Sequence, residues 1–433
     1  MSQILVTQRA SWLNILPAHW KVVEPRRIFA LRREVEHPGD EHLTPSQKYG
    51  VLPQKKYMEI TGNRVVQNLS GTKMQHVEPG DFISHLRTFQ GGLELSRIPG
   101  KVSPAYTVVT PRGSVNPEYY KYALKSQGYI SQISSVTDQL RDGQSMRYGE
   151  FNLTPLPAPP AVEQEAIADY LDHETAEIDA TIREQERLAD LIRERQSASI
   201  DFEYKAASRE ASRMLPVKHL FTINPSISHS KKQIPEKSTY LPMSAIGEFG
   251  SIDTSWLRPS DEMAYGYTYV ENGDVLLAKV TPCFENGKGA VVSTLPGGVG
   301  FATTEVTCFR PIASMTSRYL SVILRTSRFR LGGEAEMTGA GGLKRVPDRY
   351  MMNFRMAHLE VLDQQNLVDR VDKIDRNSQE LIGDLNLAIA LARERRAALI
   401  TAAVTGQIDV TARHKPAAEQ LEDDIAQGLH REN

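Results

Sequence analysis

Cysteine is the scarcest chemistry-bearing residue in this chain: only Cys283 and Cys308 occur among 433 residues. Two cysteines with no CxxC pair exclude a disulfide framework and a thiolate zinc site, and they suit a reducing cytosol. Buried, inert thiols are expected at both positions. Long apolar runs are also missing. No stretch reaches the roughly 18 residues that a membrane-spanning helix needs. The opening MSQILVTQRASWLNILP has no basic segment ahead of a long apolar one, so a secretion signal is not expected and a cytoplasmic location is.

Catalytic signatures are absent too. The chain has no GxxxxGK[ST] phosphate loop, no GxGxxG turn, no GxSxG, no HExxH and no H-x-E with PCxxC. GGVGFATT at 297–304 has its glycines at the wrong spacing and reads as a turn. No [DNS]-P-P-[YF] tetrapeptide occurs, so a base-flipping amino-methyltransferase pocket is not encoded. The 11 histidines are scattered in sequence, and none is spaced like a metal ligand. Pairs such as Glu305 with Lys288 are too common in a protein of this size to mark a nuclease. The expectation is a non-catalytic protein with no catalytic residue, no metal and no cofactor of its own.

What the chain does have is alternating charge. The formal total of −2 hides +6 over 1–160, −8 over 161–210, +4 over 211–361 and −4 over 362–433. Such asymmetry bears on partners more than the total does.

It also has an internal repeat at an offset of 200. Gln164 falls on Gln364, Ile167 on Leu367, Asp169 on Asp369, Leu171 on Val371 and Asp172 on Asp372. Ile182 then meets Ile382, the triplet Arg193–Arg195 meets Arg393–Arg395, and Ile200 meets Ile400. Both copies predict helices of about 40 residues, roughly 60 Å long. Steps of four and three run through Leu171, Thr175, Ile178, Ile182, Gln185, Ala189 and Ile192. The same steps run through Leu367, Val371, Ile374, Ser378, Leu381, Leu385, Ala388 and Ala392. That is the seam of a coiled coil, and each copy is the obvious partner for the other. The first helix follows PAPPAVEQEAI at 157–167, where proline is tolerated in the first turn and Glu163 and Glu165 suit the positive end of the dipole.

The segments ahead of the helices correspond more loosely. EPGDFI at 78–83 resembles ENGDVL at 271–276, each a turn feeding an apolar strand. A basic loop follows in each, then β-rich stretches at 105–110 and 303–309, a short helix at 117–126 and 317–327, and a glycine-containing loop. YGYTYV at 265–270 reads as an aromatic strand that packs a core. The order is globule, helix, globule, helix.

This pattern resembles the specificity subunit of type I restriction–modification enzymes. Pro157, Pro159, Pro160, Glu163, Gln164 and Ile167 match that family's P-x-P-P-x-x-E-Q-x-x-I. LPAHWKVVEPRRIF at 16–29 resembles its usual start, and AAVTGQIDV at 402–410 the usual end of its second helix. FRMAHLEVLDQQ at 354–365 departs by lacking the double proline. The resemblance implies an α+β fold with two mixed α/β target recognition domains, 1–160 and 211–360. Two long antiparallel coiled-coil helices, 161–210 and 361–410, join and space them, with a polar tail at 411–433. It implies sequence-specific binding of double-stranded DNA, each domain reading half of a bipartite site. The expected partners are two modification (methyltransferase) subunits, docked by the helices, and restriction (motor-nuclease) subunits, with no membrane. S-adenosylmethionine, ATP and magnesium belong to those partners.

Readout needs donors and acceptors at base edges, while phosphate contacts position the protein. On that basis the DNA-binding candidates are Arg64, Lys73, Arg87, Thr88, Gln90 and Arg147 in the first globule. In the second they are Lys279, Thr281, Asn286, Lys288, Lys344 and Arg345, with Arg147 the counterpart of Arg345 across a two-residue insertion. The spacer and partner-docking candidates are Ile167, Leu171, Ile178, Ile182, Leu367, Val371, Ile374, Leu381 and Leu385. The competing readings are a non-DNA coiled-coil scaffold with two ligand-binding globules and a stand-alone nuclease.

Overall fold

The computed structural model describes residues 11–410, apart from 14, 64–72, 87–90, 114, 137–145, 230–231, 249, 313 and 341. Its contacts divide into Met1–Glu184 with Ala388–Asn433, and Gln185–Leu387. Both dividing points fall inside long helices, Ala161–Arg209 (49 residues) and Val361–Val404 (44 residues). At 1.5 Å per residue these run about 74 and 66 Å, longer than the sequence pattern predicts.

In the first unit, an antiparallel sheet runs in the order Phe29–Leu31, Val108–Pro111, Phe82–Ser84, Leu93–Leu95. Its strands pair with Phe29 opposite Pro111, and with Phe82 opposite both Val109 and Leu95. Phe29 meets Phe82, Tyr120 and Phe151 edge-on at 5.3–5.7 Å between centroids, the geometry that aromatic quadrupoles favour. Ile167 and Leu171 of the first long helix, and Ala403 and Val404 of the second, complete that core. Tyr119 donates its hydroxyl to the Val404 carbonyl at 2.8 Å.

Strand Lys21–Val23 pairs with Leu156–Ala158 and so fixes the proline-rich approach to the first long helix. The prolines stop just short of the helix, which starts at Ala161 with the Gln164 N–H on the Pro160 carbonyl at 2.9 Å. Glu163 does more than face the helix dipole. It accepts from the Trp20 indole and contacts His19, both at 2.8 Å.

The second long helix ends with Gly406 at φ 68°. The Gly406 N–H reaches the Ala403 carbonyl and the Gln407 N–H that of Ala402, a Schellman stop. A Cβ on Gly406 would lie 2.5 Å from Pro17 and 3.1 Å from Trp20. The two family-like stretches at 16–29 and 402–410 therefore meet in this unit.

The second unit repeats the sheet: Phe221–Ile223, Val306–Pro311, Val275–Ala278, Gly289–Val291. Phe221 stands opposite Pro311, and Val275 opposite Phe309 and Val291, the same pairing pattern as in the first unit. A second sheet, with Lys237–Leu241 parallel to Val299–Ala302, has no described four-stranded counterpart in the first unit. Tyr269 is buried in this sheet, as the YGYTYV stretch predicts, while Tyr265 is exposed.

The two EPGD-like turns are alike in detail. Gly80 and Gly273 take φ of 97° and 98°, which glycine adopts without a Cβ clash. Asp81 and Asp274, each 1% exposed, close the turns by accepting the N–H of Glu78 and Glu271. Each buried carboxylate meets a guanidinium: Arg32 at Asp81, and Arg310 in a 2.8 Å fork at Asp274. Cys308 is buried against Asp274, and burial followed by that carboxylate pushes its thiol pKa well up. Cys283 is only half-buried, which corrects the expectation for one of the two thiols.

Gln164 and Gln364 occupy matching places in the two units. Gln164 accepts the Asn116 N–H and donates to the Pro159 carbonyl, both at 2.9 Å. Gln364 accepts the Thr316 N–H at 2.9 Å and donates to the Leu359 and Ser314 carbonyls at 2.9 and 2.7 Å. Each side chain ties the start of a long helix to the N-cap of the short helix in its own globule, Pro117–Ala123 or Ser317–Leu324.

The long helices pack antiparallel, as expected. In the second unit Gln196 bonds Asp375 at 2.7 Å, and seven residues on Glu203 pairs with Arg370 at 2.6 Å. In the first unit Ile178 and Ile182 pack with Ile389, and Asp179 pairs with Arg396 at 2.9 Å. The seam of the first helix follows the predicted steps, and that of the second departs from them at Leu381. Leu381 is 53% exposed, whereas Ser378 and Ile389 are buried and Ile382 is half-buried. Two phasings of the 4-3 pattern fit this sequence, and the partner helix selects the one through Ile382.

Two predictions follow from this packing. Gln164→Ala or Gln364→Ala uncovers a buried N–H and a carbonyl, at about 1–3 kcal/mol each. Chemical denaturation is therefore expected to reach its midpoint earlier, and an unchanged curve for both variants would remove these side chains as helix-to-globule ties. Ile389→Ala is expected to cost about 2–5 kcal/mol, but Leu381→Ala no more than about 0.5 kcal/mol. Equal losses would restore Leu381 to the seam.

Candidate nucleic-acid interface

The second unit gathers most of its predicted contacts around one strand end. Lys279 follows strand Val275–Ala278, and its backbone is held by Glu305 at 3.0 Å and Val346 at 2.8 Å. Its ammonium lies 3.7 Å from Asp348. Thr281 donates its hydroxyl to the Gly342 carbonyl and accepts the Lys344 N–H, both at 2.9 Å. The Thr281 N–H donates to the Lys344 carbonyl at 3.0 Å. This threonine is thereby committed to holding a hairpin, Thr338–Ala340 paired with Leu343–Arg345.

That hairpin is exposed along both strands and carries Lys344 outward. Arg345 forks onto Glu305 at 2.9 and 2.7 Å. This guanidinium holds the Glu305 carboxyl below its ordinary pKa, against the effect of burial. Asn286 is exposed on the turn after Thr281, and Lys288 is half-buried with Nζ 3.4 Å from the Met243 carbonyl.

The six candidates of this unit thus differ in availability. Lys344 and Asn286 face solvent. Lys279, Lys288 and Arg345 carry charge next to internal acceptors. Thr281 positions its neighbours. A two-stranded ribbon is narrow enough for a DNA groove, and neighbouring loops add charge for phosphate. The glycine-containing loop expected after the short helix at 317–327 is this hairpin. The Gly-Gly pair between two short runs was the available hairpin signal.

In the first unit Lys73 and Arg147 are exposed. Arg64, Arg87, Thr88 and Gln90 lie outside the described residues. Arg147 precedes helix Tyr148–Phe151, and its N–H donates to Glu150 at 2.9 Å. The counterpart relation with Arg345 does not hold. Met146 and Val346, both 1% exposed, match at an offset of 200 with no insertion, and Arg147 falls on Pro347, each an N-cap. Burial fixes that register.

The spacer candidates also divide. Ile167 and Leu171 are spent in the core of the first unit, and Leu367 and Val371 in that of the second. Ile178 and Ile182 form the seam, and Ile374 and Leu385 are half-buried. Large apolar side chains left exposed along the helices instead include Leu188, Leu191, Phe202, Leu381, Leu387 and Leu391.

Against known proteins, the chain is 32% identical over 162 residues to the type I restriction enzyme EcoEI specificity subunit of Escherichia coli. It is 33% identical over 154 residues to the EcoAI specificity subunit of the same organism. These matches take in 37% and 35% of this chain but only 27% and 26% of the relatives, so the chain spans about a quarter of their length. Over these stretches the chain is similar to type I specificity subunits.

The fold agrees. A solved chain, described under complex assembly and conformational transition of the type I R-M system, superposes with a TM-score of 0.59. The superposition covers 91% of this chain and 99% of that one at 13% identity, a likeness of fold alone. No protein-family model matches.

Proposed function

We propose that this chain is the DNA-reading, non-catalytic subunit of a type I restriction–modification complex. Residues 1–160 and 211–360 act as target recognition domains for the two halves of a bipartite site. The observation that carries this reading is the repeated architecture: one sheet order and one glutamine tie, each built twice. An exposed Lys344 ribbon beside Lys279 and Asn286 in the second domain supports it, as does the basic balance of both globules.

The helices, from 161 to about 210 and 361 to about 410, serve as spacer and as docking surface for two modification subunits. Their exposed leucines are the side chains left to meet a partner. Motor-nuclease subunits complete the assembly in the cytoplasm. S-adenosylmethionine, ATP and magnesium act in those subunits. Lys73, Arg64, Arg87, Thr88, Gln90 and Arg147 make the contacts of the first domain.

Two outcomes are expected. Binding of duplex DNA falls steeply with salt, and Lys344→Ala weakens it across sequences while lowering the salt slope by about one. Salt-independent binding would favour a non-DNA scaffold, and methylation or cleavage by this chain alone would sink the non-catalytic reading. Exchange of residues 17–155 for the equivalent domain of a relative is expected to alter one half of the methylated site. Sequencing of methylated sites checks this, and a change in both halves counts against independent readers.

A further inference from the structure

The first unit contains a polar cluster that the DNA-reading role leaves unused. Residues 34–40 follow strand Phe29–Leu31 and lie along strand Gln75–Val77. The Glu36 N–H donates to the Met74 carbonyl and the His76 N–H to that of Glu34, both at 3.0 Å. This ladder sets the His37 ring on the His76 ring, with centroids 3.9 Å apart and planes 25° apart. One ligand atom from each of Glu34, His37 and His76 lies within 4.8 Å of the other two.

The cluster is oriented by its neighbours. Asp40 Oδ2 accepts the His37 backbone N–H at 2.7 Å and contacts His76 Nδ1 at 2.8 Å, so one carboxylate positions both histidines. Glu78 sits 2.9 Å from His76 Nε2. Glu34 contacts His37 Nε2 through one oxygen at 2.9 Å and accepts from Arg32 through the other at 2.7 Å. His76 is 2% exposed, while Glu34 and His37 face solvent. One anchored donor stands beside two accessible ones, and the exposed His37 ring turns off the His76 face to share an ion, because stacked rings aim their nitrogens along near-parallel planes.

We propose that Glu34, His37 and His76 form a binding site for one divalent transition-metal ion of the zinc class. Imidazole with carboxylate suits zinc and its neighbours, whereas magnesium and calcium take oxygen donors. Three protein ligands with water in the fourth position is a recurrent zinc arrangement. Both nitrogens of His76 carry a carboxylate, Asp40 on Nδ1 and Glu78 on Nε2; an ion displaces one of them and leaves the other as the outer partner that metal-bound histidines use. The ion's role is to clamp the 34–40 segment onto strand Gln75–Val77, and no reaction is assigned to it.

The test uses the full chain, stripped with EDTA, exposed to zinc or magnesium, dialysed and assayed for metal. Wild type is expected to retain one zinc per chain, to reject magnesium, and to melt at a higher temperature with zinc than without. His37→Gln and Glu34→Gln, both at exposed positions, should match wild-type circular dichroism and melting in EDTA but lose the bound zinc and its thermal shift. Asp40→Asn should weaken zinc affinity about 10–100-fold. Cys283→Ser, at the half-buried thiol, should retain zinc like wild type. The site is overturned by a wild-type chain that holds no zinc, by His37→Gln holding it as tightly as wild type, or by loss of zinc in Cys283→Ser.

Discussion

A buried glutamine at the start of each long helix holds the architecture together. A helix of 44 or 49 residues has no reason of its own to leave a globule at a particular angle. Gln164 and Gln364 supply one by satisfying an N–H of the short-helix N-cap and a carbonyl of the strand-to-helix crossing at once. Buried amides of this kind are costly when half-satisfied, so the geometry that satisfies all partners is strongly selected. Apolar residues one turn on, Ile167 with Leu171 and Leu367 with Val371, then seal each helix against its globule.

The same economy governs the charges. Both globules are basic by sequence count, yet part-buried cations in each are consumed internally: Arg32 by Asp81, and Arg310 by Asp274 and Glu271. At the candidate DNA surface Arg345 is likewise bound to Glu305. A cation paired in this way contributes less to a distant phosphate than its formal charge suggests, because the neighbouring carboxylate cancels much of its field. Lys344, on an exposed ribbon held by Thr281, keeps its charge toward solvent. The distinction between paired and outward-facing cations, and not the net charge, decides which charges are available at the surface.

Along the helices, position on the seam divides the apolar residues. Ile178, Ile182 and Ile389 are enclosed and hold the helices together, while Leu188, Leu191, Leu387 and Leu391 remain at the surface. Asp190 separates Leu188 from Leu191, whereas only Ala388, Ile389 and Ala390 stand between Leu387 and Leu391.

Much of this was written in the chain itself. The offset of 200 aligned Gln164 with Gln364 and Ile167 with Leu367, and the heptad steps of the first helix matched its buried face residue by residue, because a long helix exposes its periodicity directly. The EPGD and ENGD turns were legible because glycine at positive φ and a turn-closing aspartate are local requirements. Tertiary structure decided the rest. Leu381 and Ile382 both fit a 4-3 pattern, and only the partner helix chose between them. The Arg147 alignment failed because burial of Met146 and Val346, invisible in a loop-like sequence, sets the register. Thr281 looked like a base reader until the hairpin it holds came beside it. His37 and His76, 39 residues apart, stack only because a backbone ladder lays one segment along the other. Sequence alone fixes what depends on neighbours along the chain; contacts between distant segments depend on how the chain closes, and no local spacing records them.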